Sequence, residues 1–173
     1  SSKKKVVEPV AVDSLTMLLQ TGDSLMQQYN TFEALRYYQQ AFAMKDTQES
    51  RMKLADCYYQ RGNYRQTADL LKLVPEDSLS HEAFRQLALS YQKQNETDAY
   101  IYWSGQLLER FPMDGEIVAG RTLAFTRVNQ PEKGIVCGMK YCLRDTTNML
   151  VNRALADAWF MNRDFKAASK LYE

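Results

Sequence analysis

Residues 54–64 read Leu-Ala-Asp-Cys-Tyr-Tyr-Gln-Arg-Gly-Asn-Tyr, and the pattern in this stretch decides the fold. Ala55 lies three positions before the aromatic Tyr58, and Gly62 lies four positions after it. The same order of a small residue and then an aromatic returns along the chain at intervals of 33, 34 and 34 residues. The aromatic positions are Tyr58, Tyr91, Phe125 and Trp159. A period of this length indicates a repeat architecture built from one structural unit.

Each unit is predicted to contain two helices joined by a turn. The turn is expected four residues after each aromatic, where the chain has Gly62, Asn95, Asn129 and Arg163. Small residues near the ninth position after the aromatic mark the second helix, and these are Thr67 with Ala68, Ala99 or Tyr100, Gly134, and Ala168. Pro131 suits the first turn of a helix, because its missing N–H needs no partner there.

An N-terminal unit fits the pattern less well. Its second helix keeps small and aromatic residues at the right spacing, namely Ala34, Tyr38 and Ala41. Its first helix keeps only Gly22 and Leu25. Asn30 with Glu33 three positions later predicts a capping box at the start of that second helix.

These residues resemble the tetratricopeptide repeat family, whose 34-residue helix–turn–helix unit carries the same order of small, aromatic and turn residues. Residues 54–75 are the best copy, and residues 155–172 are nearly as good. The third unit departs from the family, because Tyr100, or Ala99 with a slip of one residue, stands where the family has Ala. The resemblance implies an all-α fold, a right-handed solenoid of antiparallel helix pairs with four to five repeats, the last one incomplete.

The register predicts a flexible N-terminal arm over residues 1–12 and a helical repeat domain over 13–173. The units are expected near 13–47, 48–80, 81–114, 115–148 and 149–173. Because a terminal repeat without a polar capping helix leaves an apolar face exposed, self-association through the last repeat or a further C-terminal segment is expected.

The repeated residue types have a physical cause. Two short antiparallel helices cannot bury enough apolar surface alone and must stack on the next pair. Small residues are expected where helix axes approach closely, and aromatics fill the space between units. Trp159 is therefore expected to be buried, and Trp159→Ala is expected to cost about 3–5 kcal/mol.

Composition excludes several function classes. The 173 residues include 22 Lys plus Arg and 21 Asp plus Glu, so the net charge of +1 gives no electrostatic reason for a nucleic-acid partner or an anionic membrane surface. No apolar run approaches the roughly 18 residues of a membrane span. The chain is expected to be soluble. A polar, lysine-rich start fits a cytoplasmic protein and also an exported or periplasmic one after removal of a signal segment, so the compartment stays open.

Sequence motifs for catalysis or metal binding are missing. Cys57, Cys137 and Cys142 form no CxxC pair and have no His at zinc spacing, so buried free thiols are expected. His81 is the only histidine, and its neighbours Ser80 and Glu82 are interpreted as caps of a helix. No phosphate loop, HExxH or EF-hand pattern occurs. We therefore expect no enzyme activity, no cofactor and no metal.

In the tetratricopeptide repeat family, residues of the first helices line a concave groove. Spacing carries the binding positions onto Met52, Asp56, Tyr59, Arg85, Leu89, Gln92, Leu123, Thr126, Arg153, Asp157 and Phe160. The Lys and Asn with which one subfamily grips a terminal carboxylate are absent from these positions. The leading hypothesis is a noncatalytic protein-interaction module that binds a peptide or a partner helix. The alternative is a periplasmic or surface-anchored component of an envelope assembly or glycan-binding system.

Overall fold

The computed structural model describes Lys3 and residues 10–171, and the secondary structure of this part is helical. Its α-helices are α1 (Val10–Gln27), α2 (Thr31–Met44), α3 (Gln48–Gln60), α4 (Tyr64–Leu71), α5 (His81–Lys93), α6 (Thr97–Arg110), α7 (Gly115–Arg127), α8 (Pro131–Cys142) and α9 (Met149–Leu171). A short 3₁₀ helix covers Glu76–Ser78. The predicted all-α fold is confirmed.

The described residues form two compact units, one ending at Ser78 and the other beginning at Leu79. The first contains α1 to α4 and the second contains α5 to α9. Within each unit, helices that follow one another in the chain pack together, and short connections make such neighbours antiparallel. Helices α3, α5, α7 and α9 begin at the residues where the register places the start of a unit.

The N-terminal pair is anchored to α3 through one carboxylate. Asp23 on α1 accepts a hydrogen bond from the Tyr38 hydroxyl of α2 at 2.6 Å and from Lys53 Nζ of α3 at 2.5 Å. Helix α1 begins at Val10, inside the range predicted as a flexible arm. Residues 1, 2 and 4–9 of that arm lie outside the described residues.

The turns within the helix pairs share one backbone conformation. A residue with positive φ follows the first helix at Tyr29, Gly62, Asn95 and Asn129, with φ of 59°, 77°, 60° and 61°. In each turn the next N–H bonds back to a carbonyl five residues earlier, for example from Asn63 N to Tyr58 O at 2.8 Å. This is a Schellman motif, for which Gly and Asn are the preferred residues. The predicted turns at Gly62, Asn95 and Asn129 are confirmed, and the turn at Tyr29 was missed.

The turn predicted at Arg163 is wrong. Helix α9 runs without a break from Met149 to Leu171 and passes through this position. Arg163 stands where the earlier pairs have Gly or Asn, and an Arg stabilises a continuing helix instead of the left-handed conformation that a Schellman turn needs.

The prediction that Trp159 is buried is also wrong. Its side chain is 50% exposed, whereas its counterpart Phe125 on α7 is 6% exposed. Helix α8 turns back over Phe125, and a side chain at Gly134 would lie 3.4 Å from Phe125 Cβ. Because α9 continues straight, no helix of the described part covers Trp159 in this way. The buried face of α9 carries Val151, Ala154 and Ala158 instead.

Candidate binding surfaces

The predicted positions on α3 form a half-buried face of the first unit. Met52, Asp56 and Tyr59 are all partly accessible. The Tyr59 ring packs edge-on against Tyr64 with the ring centroids 5.6 Å apart. Asp56 Oδ1 accepts a hydrogen bond from Gln60 Nε2 at 3.5 Å. Asp56 and Tyr59 are therefore already engaged with neighbours on their own helix pair.

The predicted positions on α5 face inward or are held by other residues. Leu89 is 9% exposed and leaves little surface for a ligand. Gln92 lines a small cavity of about 20 Å³ together with Tyr100 and Gly120. Arg85 is bound to Asp114 and Glu116 at the beginning of α7. None of Arg85, Leu89 and Gln92 is therefore a freely accessible side chain for binding.

Arg85 belongs to an ionic cluster between α5 and α7. Its Nη1 lies 2.7 Å from both carboxylate oxygens of Asp114, and its Nη2 lies 2.8 Å from Glu116 Oε2. His81 Nε2 lies 2.8 Å from Asp114 Oδ2, and the His81 ring stacks on Phe111 with centroids 4.1 Å apart. Asp114 also caps α7, because its Oδ1 accepts a hydrogen bond from Ile117 N at 3.2 Å.

The electrostatics of this cluster favour its charged form. Burial alone raises the pKa of Asp114, but hydrogen bonds from Arg85 and His81 outweigh it and hold that pKa below the usual range. Burial alone lowers the pKa of Arg85, and the hydrogen bonds to Asp114 and Glu116 raise it overall.

The Ser80 hydroxyl beside His81 accepts a hydrogen bond from Ala83 N at 3.1 Å. The predicted helix cap at this position is confirmed.

Of the two predicted positions on α7, Leu123 packs against α9 and Thr126 is bonded within α7. Leu123 packs against a cluster that contains Ala119 of α7 and Val151 of α9. The Thr126 hydroxyl donates a hydrogen bond to the Thr122 carbonyl at 3.0 Å. Both side chains are half-buried and leave part of their surface accessible.

The three predicted positions on α9 are exposed together. Arg153, Asp157 and Phe160 follow Leu150 at helical spacing, so the four side chains project within an arc of about 80°. Leu150 is 55% exposed and Phe160 is 66% exposed. We call these four residues the α9 stripe. It presents two apolar side chains with a cation and a carboxylate between them.

A groove that the sequence did not predict lies between α6 and α8. Both helices pack on α7 but not closely on each other, and they leave a cavity of about 1090 Å³. Val118 and Phe125 of α7 form its floor, and the walls include Tyr102 of α6 and Val136 of α8. We call this cavity the α6–α8 groove. A signal was present, because Tyr102 and Val136 are apolar residues separated by one 34-residue period.

Arg121 lies across the floor of the α6–α8 groove. Its Nε donates a hydrogen bond to the Ile101 carbonyl at 3.3 Å, and its guanidinium carbon lies 4.7 Å from the centroid of the Phe125 ring. A side chain on Gly105 would lie 2.9 Å from Arg121 Nη2, so the glycine leaves room for the guanidinium. No carboxylate of the described residues forms an ion pair with Arg121.

Solved structures of known proteins have the same arrangement of helices. The crystal structure of MamA matches with a TM-score of 0.77 and 18% identity, over 92% of this chain and 88% of that chain. A tetratricopeptide repeat protein from Parabacteroides merdae ATCC 43184 matches with a TM-score of 0.74 and 12% identity, over 92% of this chain and 64% of that chain. This chain has the tetratricopeptide-repeat fold.

A third similar structure is a chain of the APC/C hetero-tetramer Cut9-Hcn1. It matches with a TM-score of 0.60 and 16% identity, over 83% of this chain and 29% of that chain. No protein-family model and no curated protein sequence matches this chain. The resemblance to tetratricopeptide repeats that the aromatic spacing predicted is confirmed at the level of the fold.

The tetratricopeptide-repeat fold gives each surface a place in the repeat. The α9 stripe belongs to a first helix, whereas the α6–α8 groove lies between two second helices.

Among the residues described, no group of three or more His, Cys, Asp or Glu side chains could hold a metal ion. In the same part of the chain, no helix has the length and apolar character needed to cross a membrane.

Proposed function

We propose that the protein is a noncatalytic interaction module that holds a peptide or a partner helix against its first helices. The observation that carries this proposal is the α9 stripe. Large side chains that are more than half exposed give a partner apolar anchors, and neighbouring charges give specificity. In the α9 stripe Leu150 and Phe160 are the anchors, and Arg153 and Asp157 are the charges.

A bound peptide or helix contacts α9 and α7 and not α5. Leu123 of α7 packs beside α9, and Leu123 and Thr126 are both partly accessible, so α7 offers a partner a second surface. Arg85 of α5 already pairs with Asp114 and Glu116, so its replacement tests stability and not binding. The α3 positions Met52, Asp56 and Tyr59 form a separate candidate face on the first unit.

A second candidate function has a specific observation in its favour. Trp159 and Phe160 are adjacent aromatic residues that are 50% and 66% exposed. Exposed aromatic side chains stack on the apolar faces of sugar rings, so this pair supports the alternative of a glycan-binding envelope component. Binding of soluble glycans that is lost in Trp159→Ala supports this alternative over the peptide-binding function.

The test uses a displayed library of peptides of about 16 residues, selected on the wild-type protein. We expect Leu150→Ala/Phe160→Ala to weaken binding of the selected peptides by about tenfold or more, because both anchors are lost. Met17→Ala is the matched control, since Met17 is 65% exposed on α1 of the other unit. Equal affinity for wild type and the double variant contradicts the proposal.

The same exposed face is where the sequence predicts self-association. Sedimentation of the wild type and of Leu150→Ala/Phe160→Ala separates the two outcomes. A wild type that is monomeric at the concentrations used for binding leaves the α9 stripe accessible to a partner. A dimer that dissociates in the double variant assigns the stripe to a second copy of this chain.

A further inference from the structure

The α6–α8 groove has the dimensions of a site for a short helix. Its lining on α6 extends from Asp98 to Glu109, which is about 16 Å or three helical turns. Tyr102 is 54% exposed and Val136 is 68% exposed on opposite walls. Two helices that flank a third leave a channel into which another helix packs by the same ridge-and-groove geometry. The walls are therefore apolar where a helical partner would present its own apolar stripe.

Arg121 makes this groove different from a purely apolar channel. Its Nε is hydrogen-bonded to Ile101, but no described residue accepts a hydrogen bond from its Nη atoms. A half-buried guanidinium that lacks a carboxylate has lost hydration without gaining an ion pair. A carboxylate brought in by a ligand gains a charge-assisted, bidentate pair there.

The remaining charges of the groove are distributed unequally between its walls. Lys133 and Lys140 of α8 and Arg144 just beyond it lie on one side, together with Glu132. Asp98 and Glu109 lie on the α6 side. None of these six side chains forms an ion pair with another described residue. A partner helix with acidic residues facing α8 and basic residues facing α6 is complementary to both walls.

We propose that the α6–α8 groove binds an amphipathic helix of a partner protein that carries one carboxylate side chain beside its apolar stripe, paired with Arg121. The apolar residues of that helix contact Val118, Phe125 and Val136, and its carboxylate accepts hydrogen bonds from the Nη atoms of Arg121. No described α9 residue lines this groove, so the site is independent of the α9 stripe and goes beyond the proposed function.

The experiment selects binders from a displayed library of amphipathic helices of about 16 residues, in which apolar residues are fixed at positions i, i+3, i+4 and i+7. We expect the selected peptides to carry Glu or Asp at one position beside the apolar stripe. Arg121→Gln and a Glu→Gln change in the peptide are each expected to weaken binding about tenfold. The two changes together are expected to cost little more than either alone, because both remove the same ion pair.

Two further measurements do not depend on Arg121. Val136→Glu places a charge on the exposed wall and is expected to weaken binding at least tenfold, whereas Met17→Glu, at a similar exposure on α1, has no effect.

Cys137 lines the groove, and in a Cys142→Ser protein it is the accessible thiol, because Cys57 is buried. A bound peptide is expected to slow alkylation of Cys137.

Several outcomes overturn the inference. These are a selection that yields no binder, binders without a carboxylate, and binders that leave Cys137 alkylation or the Val136→Glu affinity unchanged. Peptides that depend on Leu150 and Phe160 but not on Val136 support the proposed function and overturn this inference. Peptides that depend on Val136 but not on Leu150 and Phe160 support this inference and contradict the proposed function. The failure of one proposal is therefore distinguishable from the failure of the other.

Discussion

The hydroxyl of Tyr100 on α6 lies against Gly120 on α7, in the space that a side chain at position 120 would fill. Tyr100 is 1% exposed and occupies the place that Thr67, a smaller residue, takes in the preceding repeat. A larger residue at this close approach is accommodated because the facing position has no side chain. In the first unit, the ring of Tyr38 likewise fills the space that a side chain at Gly22 would occupy.

This relationship predicts that the cost of one substitution depends on the Tyr100 hydroxyl. Gly120→Ala in the wild type is expected to lower the free energy of unfolding by about 1–3 kcal/mol, because the new methyl group collides with the Tyr100 hydroxyl. In a Tyr100→Phe protein the same change is expected to be within about 0.5 kcal/mol of neutral, since Ala favours the helix and the hydroxyl is gone. Urea unfolding of the four proteins measures the coupling.

Tyr100→Phe alone serves as the control of this cycle. The Tyr100 hydroxyl is buried and hydrogen-bonds to no described residue, so its removal is expected to leave stability unchanged or raise it by about 1 kcal/mol. Equal costs of Gly120→Ala in the two backgrounds would show that the contact is absent.

A second prediction compares the aromatic positions of two repeats. Phe125→Ala is expected to cost about 3–5 kcal/mol, because Phe125 is 6% exposed under α8. Trp159→Ala is expected to cost about 1 kcal/mol, because half of this side chain is already in water. Chemical unfolding of both variants measures the two losses in the free energy of unfolding. A loss for Trp159→Ala as large as that for Phe125→Ala would contradict the exposure of Trp159 on α9.

The Asp114 cluster predicts how stability depends on pH. The pKa of Asp114 is lowered in the folded protein, so its contribution is present above the pKa of about 3.9 of an unfolded aspartate and is lost as the pH falls. Asp114→Asn is expected to cost about 2 kcal/mol at pH 7. The difference from wild type is expected to shrink when unfolding is measured near pH 3. Asn keeps the oxygen that caps α7, so a difference that stays constant between the two pH values would contradict a contribution from the ionised carboxylate.

The cysteines are expected to separate by reactivity. Cys57 is buried, and burial raises its pKa to about 11, so its thiol stays protonated at pH 8. Cys137 and Cys142 are half-buried. Mass spectrometry during alkylation of the native protein is expected to show two early adducts, with the third appearing on unfolding. Early labelling of Cys57 would mean that α3 is not packed as described.

Much of the fold could be predicted because its determinants are local. The spacing of Tyr58, Tyr91 and Phe125 and the Gly or Asn after each helix specify where a pair turns back. Tyr29 was missed because a tyrosine rarely adopts positive φ, and only the tertiary arrangement of α1 and α2 imposes it there. At Arg163 the spacing predicts a turn, but the residue type favours a continuous helix, and α9 passes through this position.

The candidate surfaces were less predictable, since accessibility depends on what other helices cover. Repeat spacing selects Arg153, Asp157 and Phe160 as binding positions, and the three are exposed along one side of α9. The same spacing cannot reveal that Arg85 is occupied by Asp114, which lies 29 positions away in the sequence. The α6–α8 groove was missed because it depends on the distance between two helices that do not follow each other in the chain.

Photocrosslinking from position 160 tests the central claim most directly. A photoreactive phenylalanine analogue in place of Phe160 is expected to capture a peptide selected on the wild-type protein, and the same analogue at Met17 is expected not to. Capture from position 17 alone, or equal capture from both positions, would contradict the assignment of the α9 stripe as the binding surface.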